Sequence, residues 1–177
     1  MNSYRVKKGL VIVYTGEGKG KTSAALGGVL RAFGHGFKIK VFHFIKKDSG
    51  SGEQKVLRQL GIEVETLGKG FTWNSENIED DIRLARNGWT KAANDILSGD
   101  YDLIVLDELN YVLDYAFLDS EMIIETLRKK PQNLHVIITG RGAPDNLVEF
   151  ADLVTEMKMV KHPYHSMGLK AQKGVEY

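Results

Sequence analysis

Leu10-Val11-Ile12-Val13-Tyr14 runs directly into Thr15-Gly16-Glu17-Gly18-Lys19-Gly20-Lys21-Thr22, and this junction decides the fold. The first five residues are apolar and rich in β-branched side chains, which reads as a buried strand. The glycines that follow let backbone N–H groups converge on an anion, and the helix predicted to start at Lys21 adds its dipole. Lys21 supplies a positive charge for phosphate oxygens, and the Thr22 hydroxyl is suited to ligate Mg²⁺. The run departs from the usual G-x-x-x-x-G-K-[ST] pattern at one place. Its first glycine should fall at Thr15 and stands one residue later, at Gly16. A plain strand-to-helix turn is the alternative reading, but Gly-Lys-Thr at a helix entry behind a buried strand favours phosphate binding.

Strand-like runs alternate with helical patterns along the whole chain. Strands are expected at 10–14, 39–44, 62–66, 103–106, 135–139 and 153–157. They are continuous apolar runs, as expected for strands covered on both faces. The clearest helix spans 77–97, where Ile78, Ile82, Ala85, Trp89, Ala92, Ala93 and Ile96 recur at helical spacing and Gly99 provides a stop. Further helices are expected at 21–33, 53–60, 120–129 and 145–150. The sequence therefore predicts an α/β fold: one doubly wound, mostly parallel sheet of about six strands with helices on both faces. It reads as a single domain over 1–177, with ligands at the carboxyl ends of the strands. Two polar-aromatic stretches, 68–74 and 161–177, stay outside the pattern as loops that could carry function.

Composition closes off several classes. A net charge of +1 gives no reason to expect nucleic acid or an anionic membrane as partner. The absence of cysteine excludes disulfides, thiolate metal sites and a cysteine nucleophile. No apolar run approaches the about 20 residues of a membrane helix. Residues 1–9 lack the apolar core of a signal peptide, so a cytoplasmic location is expected.

Other residues bear on chemistry. Asp107 and Glu108 follow the apolar run 103–106, at the sheet edge where the glycine loop opens. A carboxylate there holds Mg²⁺ directly or through water; a solvated strand end is the alternative, and the Gly20-Lys21-Thr22 context favours the metal. Thr139-Gly140-Arg141-Gly142-Ala143-Pro144 ends another apolar strand. Arg141 is either an exposed turn residue or a bidentate partner for phosphate or carboxylate. In Gly70-Phe71-Thr72-Trp73 the two aromatics either plug the core edge or offer a flat wall to a ligand. Trp89, on the apolar helix face, reads as core. His35, His43 and His135 read as structural, whereas His162, in Lys161-His162-Pro163-Tyr164, is a candidate ligand contact.

Taken in order, these blocks and the ending Ala171-Gln172-Lys173-Gly174-Val175-Glu176-Tyr177 closely resemble the P-loop type of ATP:corrinoid adenosyltransferase over almost the whole chain. The resemblance implies attack of a corrinoid cobalt(I) on the ribose 5′ carbon of ATP, with release of triphosphate and no phosphoryl transfer. It implies ATP contacts from Gly16, Glu17, Gly18, Lys19, Gly20, Lys21, Thr22, Ser23 and Arg141. Mg²⁺ would sit at Thr22, Asp107 and Glu108, and the corrinoid at Phe71, Trp73 and His162. Lys21, Phe71 and Trp73 carry the catalytic roles: Lys21 on the leaving group, and the aromatics by excluding the lower axial ligand and easing reduction of cobalt(II). A flavodoxin-like reductant and a homodimer are the implied partners. Two departures stand out. Glu17 occupies a position where the family commonly has asparagine. Only eight residues precede Gly9, so any N-terminal lid is expected to be short or absent. The rival readings are a P-loop ATPase or small-molecule kinase, and a binding protein without turnover.

Overall fold

The computed structural model describes residues 8–45, 50–68 and 78–176. Within them the chain runs β1 (Val11–Thr15), α1 (Lys21–Gly34), β2 (Ile39–His43), α2 (Gly52–Gln59), β3 (Glu63–Thr66), α3 (Ile78–Ser98), β4 (Leu103–Asp107), α4 (Leu109–Asp114), α5 (Ser120–Arg128), β5 (His135–Thr139), α6 (Asp145–Phe150), β6 (Leu153–Glu156) and α7 (Pro163–Met167). The strands form one six-stranded sheet in the order β3-β2-β4-β5-β1-β6, and every pairing is parallel.

Alternation along the strands divides the core into two layers. Val13, Phe42, Ile104, Leu106, Val136 and Ile138 face α3, α5 and their neighbours. Val41, Leu103, Val105 and Ile137 face the other way, against Ala25 and Val29 of α1 and Leu57 of α2. Full burial of each such side chain stabilises the fold by about 1.5–3 kcal/mol, so both faces must be covered. α1 packs across β1, β5, β4 and β2. It thereby brings its first turn under the carboxyl ends of those strands.

Three features differ from the sequence reading. Continuous burial holds for β4, whose five residues are all buried, but not at the sheet margins. All four residues of the edge strand β6 are exposed, and none of β3 is buried. An edge strand has one covered flank fewer, so its sequence (Glu-Val-Glu-Thr in β3) alternates more freely. The short helix α4 was not expected, because its six residues are too few to display a period. The tail, expected as loop, contains α7, which starts on Pro163 and is capped by the His162 ring accepting from Tyr164 N–H at 3.1 Å. The block Gly70-Phe71-Thr72-Trp73 lies outside the described residues.

Candidate functional site

The carboxyl ends of β1, β5, β4 and β2 carry Thr15, Thr139, Asp107 and His43 in adjacent rows. The glycine loop rises from the first of these. Gly20 has φ 107° and ends the loop as the N-cap of α1, a left-handed conformation that glycine adopts without strain. Gly18 is needed for a different reason: a Cβ there would stand 2.6 Å from the Met157 carbonyl oxygen. The loop is held against the end of β6 by Gly18 N–H donating to that same oxygen at 2.6 Å. No side-chain cap closes the start of α1, whereas Ser51 and Asp119 cap α2 and α5. The first amides of α1 therefore keep their donors for an anion.

Lys21 folds back over the loop, its Nζ donating to the carbonyl oxygens of Gly16 at 2.7 Å and Gly18 at 2.6 Å. Burial and the nearby Arg141 charge lower its pKa, against the opposing pull of Glu17 and Glu108. Beside it, the Thr22 hydroxyl donates to Asp107 Oδ1 at 2.8 Å. The Thr139 hydroxyl donates to the same oxygen at 2.7 Å and accepts from Glu108 N–H at 2.9 Å. His43 Nδ1 lies 2.8 Å from Asp107 Oδ2. Asp107 is 1% exposed, so its carboxyl group is met by protein partners rather than by water.

Glu108 adopts φ 65° and ψ 17°, left-handed backbone on a residue that pays for it sterically. The turn ends β4, begins α4 and brings Glu108 to the lining of a cavity of about 330 Å³. Gly18, Lys19, Gly20, Lys21, Thr22, Ser23 and Arg141 line the same cavity. Of the residues singled out in the sequence, these come together. Gly16 belongs to the loop through its bond to Lys21, and Asp107 lies directly behind Thr22. Glu17 pairs with Arg141 at 3.0 Å, which answers how a carboxylate is accommodated at that loop position. His162 sits at the start of α7, where desolvation and the positive charges of Lys19, His165 and Arg141 lower its pKa. Phe71 and Trp73 fall outside the described residues.

Sequence reasoning gave no site role to several contributors. Glu53, Tyr111 and Glu176 line the cavity, and His43 braces Asp107. Burial pushes the Tyr111 hydroxyl up in pKa while Arg141 pulls it down. Glu176 forms an ion pair with Lys19, so the tail reaches the glycine loop. Only the strand register, His43 opposite Asp107, could have flagged the histidine.

The donor set suits a small hard cation. Thr22 spends its hydrogen on Asp107, which leaves hydroxyl lone pairs for the cavity side, and Glu108 adds a carboxylate. Among the described residues no three His, Asp or Glu side chains converge to hold a metal alone. A cation here would complete its shell with phosphate oxygens and water, as Mg²⁺ commonly does. Among the described residues no helix is long and apolar enough to cross a membrane.

A larger, mainly apolar cavity of about 860 Å³ opens between α3 and the α4–α5 connection, lined by Trp89, Leu113, Phe117, Met122 and Arg86 among others. Trp89 itself is 4% exposed and belongs to the core.

Comparison with known proteins gives a consistent picture. Residues 7–177 match the family described as ATP:corrinoid adenosyltransferase BtuR/CobO/CobP. The chain is 42% identical over 175 residues to a corrinoid adenosyltransferase of Pseudomonas aeruginosa, covering 98% of this chain and 86% of that protein. It is 41% identical over 171 residues to a corrinoid adenosyltransferase of Escherichia coli K12, covering 97% and 87%. The corrinoid adenosyltransferase CobA of Salmonella typhimurium is 40% identical over 171 residues, with 97% and 87% covered. Among solved structures, the flagellar accessory protein FlaH of Methanocaldococcus jannaschii matches with a TM-score of 0.59 at 11% identity, covering 85% of this chain and 72% of that one. That likeness concerns the fold alone.

Proposed function

The chain belongs to the ATP:corrinoid adenosyltransferase family and transfers an adenosyl group from ATP to a corrinoid, and we propose that its glycine loop acts by holding triphosphate as the leaving group. The observation that carries this reading is the uncapped start of α1, opening into a cavity with Lys21, Thr22 and Glu108. Amide donors and Lys21 gather around the oxygens on which negative charge accumulates as the 5′ C–O bond breaks. A cobalt(I) corrinoid attacks the 5′ carbon in line with that bond, the electron pair of cobalt forming the Co–C bond while triphosphate departs. Cobalt(I) has no proton to lose, so the reaction needs no general base. Holding the two reactants in line supplies much of the remaining acceleration.

Mg²⁺ would be held by Thr22 and Glu108, with Asp107 behind them, and would neutralise charge on the triphosphate. Gly16, Gly18, Lys19, Gly20 and Ser23 would complete the phosphate contacts. Arg141 and Glu17 pair with each other, and a bound polyanion would draw Arg141 away from that carboxylate. Phe71, Trp73 and His162 would face the corrinoid, the aromatics filling the lower axial side. A homodimer, a flavodoxin-like electron donor, a cytoplasmic setting and a place in cobalamin biosynthesis complete the reading. These four rest on family membership.

The test mixes the protein with ATP, Mg²⁺ and chemically reduced cobalamin and follows the visible spectrum. A new photolabile species that reverts to a cobalt(II) or cobalt(III) spectrum on illumination is expected. A spectrum unchanged by enzyme would contradict the proposal.

A further inference from the structure

The parallel register sets His43 of β2 directly opposite Asp107 of β4. Both alternate onto the α1 face of the sheet, as Val41 and Val105 do before them. The pair is deeply buried, at 2% and 1% exposure. One Asp107 oxygen, Oδ1, accepts from Thr22 and Thr139, while Oδ2 lies 2.8 Å from His43 Nδ1. An ionised carboxylate only accepts, so each of these partners must donate to it. His43 then carries hydrogen on Nδ1. Its other nitrogen, Nε2, finds no hydrogen-bond partner among the described residues, so the ring's polar contact is with Asp107.

The consequence reaches the cavity through Thr22. The His43 contact at Oδ2 adds to those of Thr22 and Thr139 at Oδ1 in fixing the carboxylate about its Cβ–Cγ bond, so Oδ1 stays aimed at Thr22. The threonine hydrogen therefore points inward and its lone pairs point at the cation position. Without His43, Oδ2 of a buried carboxylate loses one donor, and the aim of Oδ1 rests on the remaining contacts, those of Thr22 and Thr139 among them. We propose that His43 is a positioning residue that, by holding Asp107, fixes the Thr22 hydroxyl in the orientation that accepts a divalent cation with the nucleotide. This inference rests on the reading of Thr22 and Asp107 as the metal side of the site. It has the form of an outer-shell contact, and loss of such a contact commonly costs about 10–100-fold in metal affinity.

The test compares, by calorimetry, the affinity for ATP alone with that for ATP plus saturating Mg²⁺. The ratio of the two isolates what the cation adds. The variants are His43→Asn, which keeps an N–H near the Nδ1 position, His43→Leu, which removes it, and Asp107→Asn. His43→Met, whose flexible chain adapts to the space, replaces the leucine variant if that one does not fold. Affinity for metal-free ATP should stay within about twofold of wild type in both His43 variants, whereas the Mg²⁺ advantage should fall about tenfold in His43→Leu and survive in His43→Asn. An equal loss in His43→Asn and His43→Leu makes the residue a packing element and overturns the proposal. A wild-type ratio in His43→Leu alongside a lost ratio in Asp107→Asn overturns it as well, but leaves the metal reading intact. A wild-type ratio in Asp107→Asn, or no Mg²⁺ advantage in the wild type, removes the metal reading and this inference with it.

Discussion

The Thr22 hydroxyl donates to Asp107 Oδ1 across 2.8 Å, tying the first turn of α1 to the carboxyl end of β4. These residues are 85 positions apart in the chain, yet the parallel sheet brings them into one hydrogen bond. Thr22→Val removes the hydroxyl and one donor to a buried carboxylate, a destabilisation of about 1–3 kcal/mol. Turnover should fall far more, about 10²–10³-fold, because charge on the leaving group loses part of its support. Thr22→Ser keeps the hydroxyl and should stay close to wild type. Steady-state rates and thermal melts of the two variants check this, and equal damage in both would count against the hydroxyl.

Lys21 gives a pH dependence of two opposite signs. Burial and Arg141 hold its folded-state pKa below the 10.5 of an unfolded chain. Between the lowered value and 10.5 the unfolded chain binds more protons, so the contribution of Lys21 to the free protein's stability rises with pH across that window. The proposed role of Lys21 on the triphosphate needs its charged form, so ATP affinity should fall across the same window. Lys21→Met should abolish this alkaline decline in affinity. Calorimetric titrations at a series of alkaline pH values test it, and a decline of unchanged steepness in Lys21→Met would assign the effect elsewhere.

Trp73→Ala should weaken turnover that starts from cobalt(II) far more than it weakens ATP affinity. With chemically supplied cobalt(I), the same variant should recover most of its rate, since the reduction step has been bypassed. Comparing the two starting oxidation states measures this directly. A deficit of equal size in both would argue against a role in easing reduction.

The tail supplies a separate prediction. Glu176 pairs with Lys19 and lines the cavity at the glycine loop, so a polyphosphate held there as proposed and the Glu176 carboxylate would compete for one ammonium group. Glu176→Gln should tighten binding of free triphosphate by about two- to fivefold, the range of one partly exposed ion pair. Competition of triphosphate against ATP is the measurement, and weaker triphosphate binding in the variant would reverse the interpretation.

Much of this arrangement is legible in the chain itself, for identifiable reasons. Runs such as Leu103-Ile104-Val105-Leu106 announce buried parallel strands because both faces are covered, and the glycine loop announces itself because few other tasks need those residues together. The edge strand β6 shows the limit: apolar Leu153 and Val154 read as buried although the fold exposes them. His43 shows a second limit. Its neighbour Asp107 is set by sheet order β2-β4, which local pattern does not encode. Glu53 reaches the cavity from a helix start with no local signal of that destination, whereas Glu176 lies in the tail 161–177, which the sequence marks only as a loop that could carry function. The left-handed turn at Glu108 follows from tertiary demand, with Thr139 accepting its N–H.

Phosphorus NMR of a single turnover identifies which bond of ATP breaks. The protein, one equivalent of ATP, Mg²⁺ and reduced cobalamin are allowed to react, and the released phosphorus species is identified. Inorganic triphosphate is expected in step with formation of the cobalt–carbon bond. Appearance of ADP with orthophosphate, and no triphosphate, would mean that the cradle at the start of α1 serves phosphoryl transfer.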